Sequence, residues 1–220
     1  STDTHDTTRV GNFPWIRWHQ TFDVGYVPNN VVAKMFMAVT LDLRDDPNGK
    51  RKRQFNKSIV DFFSVHPRYK HDVGYRLSRS GLAIAYGHQV EFQGPIIQKV
   101  DYTSGAATVN VTYTAVSSIE LEIKMDLMFD FTNFKAKMSD SFFVGLLEGS
   151  QCLNDTIWLP TKITNKNNLE ITVAVPSSCI GKSLYGMRYL WHETPCPFKQ
   201  AAIYSGTDSN LPSPPYIKLF

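Results

Sequence analysis

The sequence predicts a mixed α/β region over residues 1–90, followed by an antiparallel β-sandwich over residues 91–220. This prediction depends on a change in the spacing of the apolar residues along the chain. Apolar or small residues recur at helical spacing up to about residue 84, whereas apolar and polar residues alternate in several later segments. A 3.6-residue period is typical of an amphipathic helix and a two-residue period of a half-buried strand, so the fold class changes near residue 90.

The α/β assignment depends first on residues 35–41, which read Met-Phe-Met-Ala-Val-Thr-Leu. This short, almost wholly apolar run is typical of a strand covered on both faces in a parallel sheet, and Asp42 stands where the strand would end. A charged loop is predicted from about residue 44 to residue 64. Because residues 1–90 cannot supply parallel neighbours on either side, we expect this chain to fold and act only together with another polypeptide segment.

A helix is predicted after this loop, beginning at Pro67 and ending before Gly87. Proline is favoured in the first helical turn and glycine just past the last one. Between them, apolar or small residues are helically spaced at Val73, Leu77, Gly81 and Ile84.

The β-sandwich is predicted from residues 108–114, 119–127 and 169–175, in which apolar and polar residues alternate. Turn-forming residues separate these runs, at Ser104-Gly105, residues 165–168 and Gly181. Several half-buried antiparallel strands in about a hundred residues are typical of a sandwich.

Composition excludes several classes of protein. Lys and Arg number 23 against 20 Asp and Glu, and the only basic run is residues 50–53, so no nucleic-acid partner is expected. No apolar run approaches the about 20 residues of a membrane span. The chain opens on Ser1 rather than on Met, and we expect it to be a product of cleavage.

Cys152, Cys179 and Cys196 do not have the close spacing of zinc ligands, so a disulfide between two of them is predicted. Three Asn-x-Ser/Thr triplets are potential glycosylation sites, at Asn56, Asn110 and Asn154. Together these features favour a lysosomal, secreted or extracellular location.

His66 is the strongest catalytic candidate. It stands directly before the predicted helix, near the carboxyl end of the predicted strand, which is where open α/β sheets form their ligand sites. The alternative is a loop histidine that merely precedes the helix. The carboxylate that would orient the His66 ring is expected at Asp61, or at Asp42, Asp45 or Asp46. No Gly-x-Ser-x-Gly elbow accompanies His66, so the chain resembles a hydrolase half without its nucleophile.

The aromatic residues allow two interpretations. Trp18 and His19 are candidates for substrate binding in a pocket-lining segment, while Trp15 is expected to pack. Trp158 and Trp191 suit either a sugar-stacking surface or the core, and the core is favoured. The proline-rich segment 212–215 is expected to pack the end of the chain against the β-sandwich.

A series of short motifs then resembles a known family. They occur in order as Ile16-Arg17-Trp18-His19-Gln20, Gly25-Tyr26-Val27-Pro28-Asn29, Phe36-Met37-Ala38-Val39 leading to Asp42-Leu43, Val65-His66-Pro67-Arg68 with Lys70, Arg188-Tyr189-Leu190-Trp191, Pro195-Cys196, Tyr204, Leu211-Pro212 and Pro214-Pro215. In order and spacing, over residues 13–220, they resemble the C-terminal half of sialate O-acetylesterases, members of the SGNH hydrolase superfamily.

This resemblance implies that residues 1–90 are the C-terminal part of an SGNH-type α/β/α esterase domain. The serine nucleophile would lie on an N-terminal chain of the same cleaved precursor, and His66 would be the general base that removes O-acetyl groups from sialic acids on sialoglycans. No metal or organic cofactor is implied. One departure from the superfamily is Phe63, which occupies the usual position of the relay Asp. Asp61, one of Asp42, Asp45 and Asp46, or a backbone carbonyl would then orient His66.

Two other functions fit the sequence. One is a non-catalytic module that binds glycan or protein, which the missing nucleophile and Phe63 favour. The other is an acetylesterase of the same superfamily that acts on another acetylated sugar.

Overall fold

The computed structural model describes residues 11–44, 53–55, 58–60, 67–114, 121–124, 129–132, 158–184 and 186–220, with the backbone alone described in 53–55, 58–60 and 130–132. Several residues singled out by the sequence lie outside the described part: His66, Asp61, Phe63, Asp45, Asp46, Asn56, Asn154 and Cys152. Predictions about their side chains therefore stay predictions.

The described residues form two α-helices and twelve strands, and every strand pair is antiparallel. The helices are α1 (Phe13–His19) and α2 (Lys70–Ile84), and a short 3₁₀ helix covers Ser177–Cys179. The strands are β1 (Arg53–Phe55), β2 (Ser58–Val60), β3 (Ile97–Asp101), β4 (Thr108–Tyr113), β5 (Leu121–Ile123), β6 (Phe129–Thr132), β7 (Leu159–Thr161), β8 (Ile163–Asn167), β9 (Glu170–Ala174), β10 (Gly186–Tyr189), β11 (Ile203–Ser205) and β12 (Tyr216–Leu219). No described helix is long and apolar enough to cross a membrane.

Two four-stranded sheets, in the orders β3-β4-β9-β8 and β12-β10-β6-β7, and the pair β5-β11 make up the β region over residues 97–220. The predicted alternation is confirmed in β4 and β9. Val109 and Val111 of β4 point inward opposite Val173 and Ile171 of β9, and all four are fully buried. A strand with a two-residue period buries one face only, which leaves Thr108 and Asn110 on the outside.

The centre of the other sheet is strand β10, which is buried on both faces. Tyr189 packs on Phe129 of β6 with ring centroids 4.7 Å apart, and the Arg188 guanidinium lies 4.7 Å above the Trp158 ring. Trp158 and Trp191 are both buried, so the preference for core tryptophans is confirmed.

The predicted strand over residues 35–41 is wrong for the described structure, because this segment forms no ladder with another strand. Side chains of α2 bind its carbonyl groups instead. Ser80 Oγ donates to the Met37 carbonyl at 3.0 Å, and an Arg76 Nη donates to the Val39 carbonyl at 2.5 Å. Met35 is 45% exposed and Phe36 is 37% exposed, which is unusual for a strand-like apolar run.

Helix α2 lies within the predicted range, but it buries a different face. Its fully buried residues are Arg76 and Ser80, while Leu77 and Leu82 are 40% and 38% exposed. The loop predicted before this helix also contains structure, since β1 and β2 pair as a hairpin in register Arg53↔Val60.

The buried carboxylate of Asp42 joins three distant parts of the chain. Arg76 donates to both of its oxygens, at 2.6 and 2.9 Å, and the Tyr204 hydroxyl donates to Oδ2 at 2.6 Å. The Asp42 carbonyl accepts the Lys199 backbone N–H at 2.8 Å. Asp42 is 0% exposed. A charge so far from water is tolerated only with such partners.

Cys179 and Cys196 are buried free thiols in this structure and are not joined to each other. Burial, reinforced by the Asp42 charge, raises the pKa of Cys196 to about 12. The predicted disulfide is therefore not formed between these two residues, and pairing with Cys152 lies outside the described part.

The Asp42 network yields the first prediction. Replacing Tyr204 by Phe removes its hydrogen bond to the buried carboxylate and the acceptor of the Ala201 N–H, and should lower the free energy of unfolding by about 1.5–3 kcal/mol. Urea unfolding of the protein that contains this chain measures the change. Tyr216→Phe is the matched control, because this half-buried ring lies outside the network, and it should change stability by less than about 0.5 kcal/mol. Equal effects of the two substitutions would contradict the role given to Asp42.

Candidate active site

A surface cavity of about 350 Å³ lies where residues 40–44, the start of α2 and the turn after β10 meet. This volume is within the range of roughly 300–1,000 Å³ that is usual for ligand pockets. Its lining consists of Arg17, Thr40, Leu41, Leu43, Arg44, Pro67, Lys70, Val73, Glu193 and Thr194.

The cavity lies between the end of the extended segment and the start of the helix α2. Residues 40–44 end the extended segment, and Pro67, Lys70 and Val73 precede or begin α2. His66 is bonded to Pro67, a lining residue, although its own side chain is outside the described part.

Arg17 is a lining side chain held by two hydrogen bonds to backbone carbonyl groups. Its two terminal nitrogen atoms donate to the carbonyl oxygens of His192 and Glu193, each at 2.8 Å. Burial lowers the pKa of Arg17 to about 10, an effect that the nearby Glu193 charge partly opposes. A pKa of about 10 still leaves the guanidinium protonated at neutral pH. Arg17 thus holds the turn after β10 in place while keeping its positive charge.

An aromatic cluster positions the helix that carries Arg17. Trp15 and Trp18 of α1 both meet Trp191 edge to face, with centroids 5.3 and 5.6 Å apart, and Trp18 meets Tyr216 in the same manner. Gly25 has a φ of +94°, and a Cβ there would lie 2.7 Å from the Trp18 ring. Only glycine therefore allows the loop after α1 to close over this tryptophan.

The structure separates the two predicted substrate-binding residues from this cavity. Trp18 is buried in the aromatic cluster, which gives it a packing role, and Trp15 packs there as expected. His19 is exposed, and its Nδ1 lies 2.5 Å from an Asp23 carboxylate oxygen. Neither Trp18 nor His19 lines the cavity. Sequence reasoning missed Arg17, because an arginine inside an aromatic motif gives no local sign of its long-range contacts.

Asp42 was one of the possible orienting acids for His66. Its two carboxylate oxygens already accept hydrogen bonds from Arg76 and Tyr204, so the structure gives this residue a structural role. Among the described side chains, no group of three or more His, Cys, Asp or Glu could hold a metal ion.

A second cavity of about 260 Å³ lies beside the extended segment 35–41. Arg17, Thr40 and Leu41 line both cavities. Beyond the extended segment, the second is also bordered by Gln20, Thr21, Gly25, Val27 and Pro215. The extended segment therefore has an open space along its side.

One solved structure has a fold similar to that of this chain. The chain resembles a carbohydrate acetylesterase from Xanthomonas citri with a TM-score of 0.50 and 18% sequence identity, over 71% of this chain and 29% of the other. At this identity, the similarity concerns the fold alone.

Sequence comparison identifies the family. Residues 98–220 match the family model of the sialate O-acetylesterase C-terminal domain. Sialate O-acetylesterases of Homo sapiens and Pongo abelii are each 33% identical to 99% of this chain, and that of Mus musculus is 34% identical to 93% of it. The chain belongs to the sialate O-acetylesterase family. It spans about a third of the length of these relatives, 32–35%.

The anchoring role of Arg17 can be tested by Arg17→Met, which keeps an unbranched side chain but removes both donors. We expect a loss of about 1.5–3 kcal/mol in the free energy of unfolding and faster amide hydrogen exchange in residues 190–196. Lys99→Met, at an exposed position of β3, serves as the control. Unchanged exchange in residues 190–196 of the Arg17→Met variant would show that the turn does not depend on Arg17.

Proposed function

We propose that this chain is the C-terminal part of a carbohydrate esterase that removes O-acetyl groups from sialic acids. The observation that carries the proposal is membership of the sialate O-acetylesterase family, together with a cavity of ligand size that Pro67 helps to line. Because the chain spans about a third of its relatives, the remaining parts of the active site would come from an N-terminal chain of the same precursor.

In this proposal, residues 1–90 complete an SGNH-type α/β/α domain and residues 91–220 form a β-sandwich. Two features support the first half. Among the described residues, the apolar segment 35–41 has no strand neighbour, and most of the exposed large apolar side chains come before residue 90, among them Phe36, Leu77 and Leu82. Such a surface is expected where another layer of the domain packs.

His66 is proposed as the general base. A serine from the N-terminal chain would attack the acetyl carbonyl while His66 takes the serine proton. His66 would then return this proton to the departing sugar hydroxyl, and water would release acetate from the acetyl-enzyme. No metal or organic cofactor takes part in this sequence of steps.

Asp61 is the proposed orienting acid for His66, in place of the residue at Phe63. The structure supports this choice indirectly, since both carboxylate oxygens of Asp42 are engaged by Arg76 and Tyr204. Asp45 and Asp46 are the remaining alternatives.

A lysosomal or extracellular location is proposed from the three glycosylation triplets. Asn110 supports it, because its side chain is exposed on β4, where an attached glycan would meet no buried surface. A mass shift of the peptide containing Asn110 after enzymatic deglycosylation tests this location.

The role of His66 is tested by His66→Ala in the protein assembled with its N-terminal part. Hydrolysis of 4-nitrophenyl acetate and of O-acetylated sialic acid should fall by about 10³-fold or more, because the serine loses its proton acceptor. His88→Ala, an exposed histidine just after α2, is the matched control. A folded His66→Ala protein with the parent rate would refute the mechanism and favour a non-catalytic binding module.

The companion variant Asp61→Asn tests the orienting acid. A loss comparable to that of His66→Ala identifies Asp61 as the relay, because the imidazole loses the group that fixes its tautomer and stabilises its charged form. Near-normal turnover would instead indicate Asp45 or Asp46 as the orienting acid. The variants Asp45→Asn and Asp46→Asn would then test each of them.

Dependence on an N-terminal partner is tested by expressing residues 1–220 alone. We expect this product to bind a dye for exposed apolar surface and to lack esterase activity, and co-expression with the N-terminal part should restore both fold and activity. A well-folded, fully active product of residues 1–220 would contradict the proposal.

A further inference from the structure

A tight turn at residues 197–200 contacts two segments that line the cavity of about 350 Å³. The Gln200 N–H donates to the Pro197 carbonyl at 3.1 Å and closes the turn. Lys199, the third residue of the turn, has a φ of +54°. This left-handed region favours glycine, so a lysine is retained where glycine would be less strained. The lysine side chain is therefore expected to make contacts that offset the strain.

The backbone of the turn is bound to the cavity wall formed by residues 40–44. The Lys199 N–H donates to the Asp42 carbonyl at 2.8 Å. Both sequence neighbours of Asp42, Leu41 and Leu43, line the cavity. The contact with this wall uses only main-chain atoms, so it does not require a lysine at position 199.

The side chains of the turn bind a second wall, at the start of α2. The Lys199 ammonium lies 2.5 Å from an Asp72 carboxylate oxygen and donates to Asn210 Oδ1 at 3.1 Å. The Phe198 ring stacks on the Tyr69 ring, with centroids 3.8 Å apart and planes 24° from parallel. One ion pair and one aromatic stack thus join the turn to the residues that begin α2.

These two contacts fall on the stretch of chain that lines the cavity. Pro67, Lys70 and Val73 are lining residues, and Tyr69 and Asp72 alternate with them along the chain. The side chains of the ion pair are only 29% and 18% exposed, so water and salt screen their attraction less than at an open surface. The turn therefore fixes the second wall relative to the first.

We propose that Phe198 and Lys199 are positioning residues, which hold the start of α2 at a fixed distance from residues 40–44, and that catalysis depends on this spacing. The inference rests on the proposed esterase function, in which His66 comes three residues before Tyr69 in sequence. Neither Phe198 nor Lys199 lines the cavity, so they act through α2. Misplacing a reacting group by about 1 Å can cost about 100-fold in rate.

The test measures hydrolysis of 4-nitrophenyl acetate and of an O-acetylated sialic acid by the full-length protein. Lys199→Gly removes the ammonium, keeps the N–H that binds Asp42 and relieves the positive φ, so the fold should be retained. For both substrates kcat should fall by about tenfold with little change in KM, because the catalytic geometry changes rather than substrate binding. Phe198→Leu, which removes the stack on Tyr69, should act in the same direction. Lys199→Arg, which keeps the cation, should retain kcat within about threefold.

Arg79→Gln is the matched control, because it removes an ion pair from the same helix. Arg79, in the second half of α2, lies 3.8 Å from an Asp208 carboxylate oxygen and donates to the Glu91 carbonyl. This variant should be less stable but have the parent kcat when folded. Amide hydrogen exchange in residues 67–73 should be faster in Lys199→Gly and unchanged in Arg79→Gln, which is a readout independent of activity.

A folded Lys199→Gly protein with the parent kcat would overturn the inference and leave the esterase function intact. An equal fall of kcat in Arg79→Gln would overturn it as well, because the loss would then follow from a general weakening of α2. If the unmodified protein hydrolyses neither substrate, the proposed function itself is wrong and the inference falls with it.

Discussion

The buried carboxylate of Asp42 is the constraint on which the rest of the structure depends. Its charge is compensated by Arg76 from α2, and it accepts a further hydrogen bond from Tyr204 of β11; these groups lie 34 and 162 residues away in sequence. Breaking a buried ion pair such as Asp42–Arg76 by removing the cation typically costs about 3–5 kcal/mol, because the remaining charge stays buried. Burial and the nearby Asp42 charge raise the pKa of Tyr204 far above its ordinary value, so this hydroxyl keeps the proton it donates. The network thereby fixes residues 40–44 against both the helix and the β region, and these residues form one wall of the cavity.

The same network explains the unusual orientation of α2. A helix normally buries its apolar stripe, yet α2 buries Arg76 and Ser80 and leaves Leu77 and Leu82 partly exposed. Arg76 and Ser80 bind the carbonyl groups of residues 37–39, so they replace part of the hydrogen bonding that a neighbouring strand would provide. Apolar groups on α2 and on residues 35–36 remain exposed, and in the proposed function they would pack against the N-terminal part.

The proposed site combines a rigid part and a charged part. The tryptophan cluster and Gly25 fix α1, and through Arg17 they fix the turn at residues 192–193. Arg44 and Lys70 line the cavity from the segment 40–44 and from the start of α2. The cavity is lined mainly by residues before 98, and Glu193 and Thr194 from the turn after β10 complete it, so the β region supports one side of the cavity.

The sequence by itself determined the change from helical to alternating structure near residue 90, the position of α2 and the inward faces of β4 and β9, because each depends on local periodicity. It also pointed to the family through short ordered motifs. Only the tertiary structure decided that residues 35–41 form no ladder with a described strand, that Trp18 packs in a cluster, that Asp42 is a structural acid and that Arg17 anchors a distant turn. Each of these results depends on partners far away in sequence, and the burial of a charge or the absence of a strand neighbour leaves no periodic trace in the residues themselves.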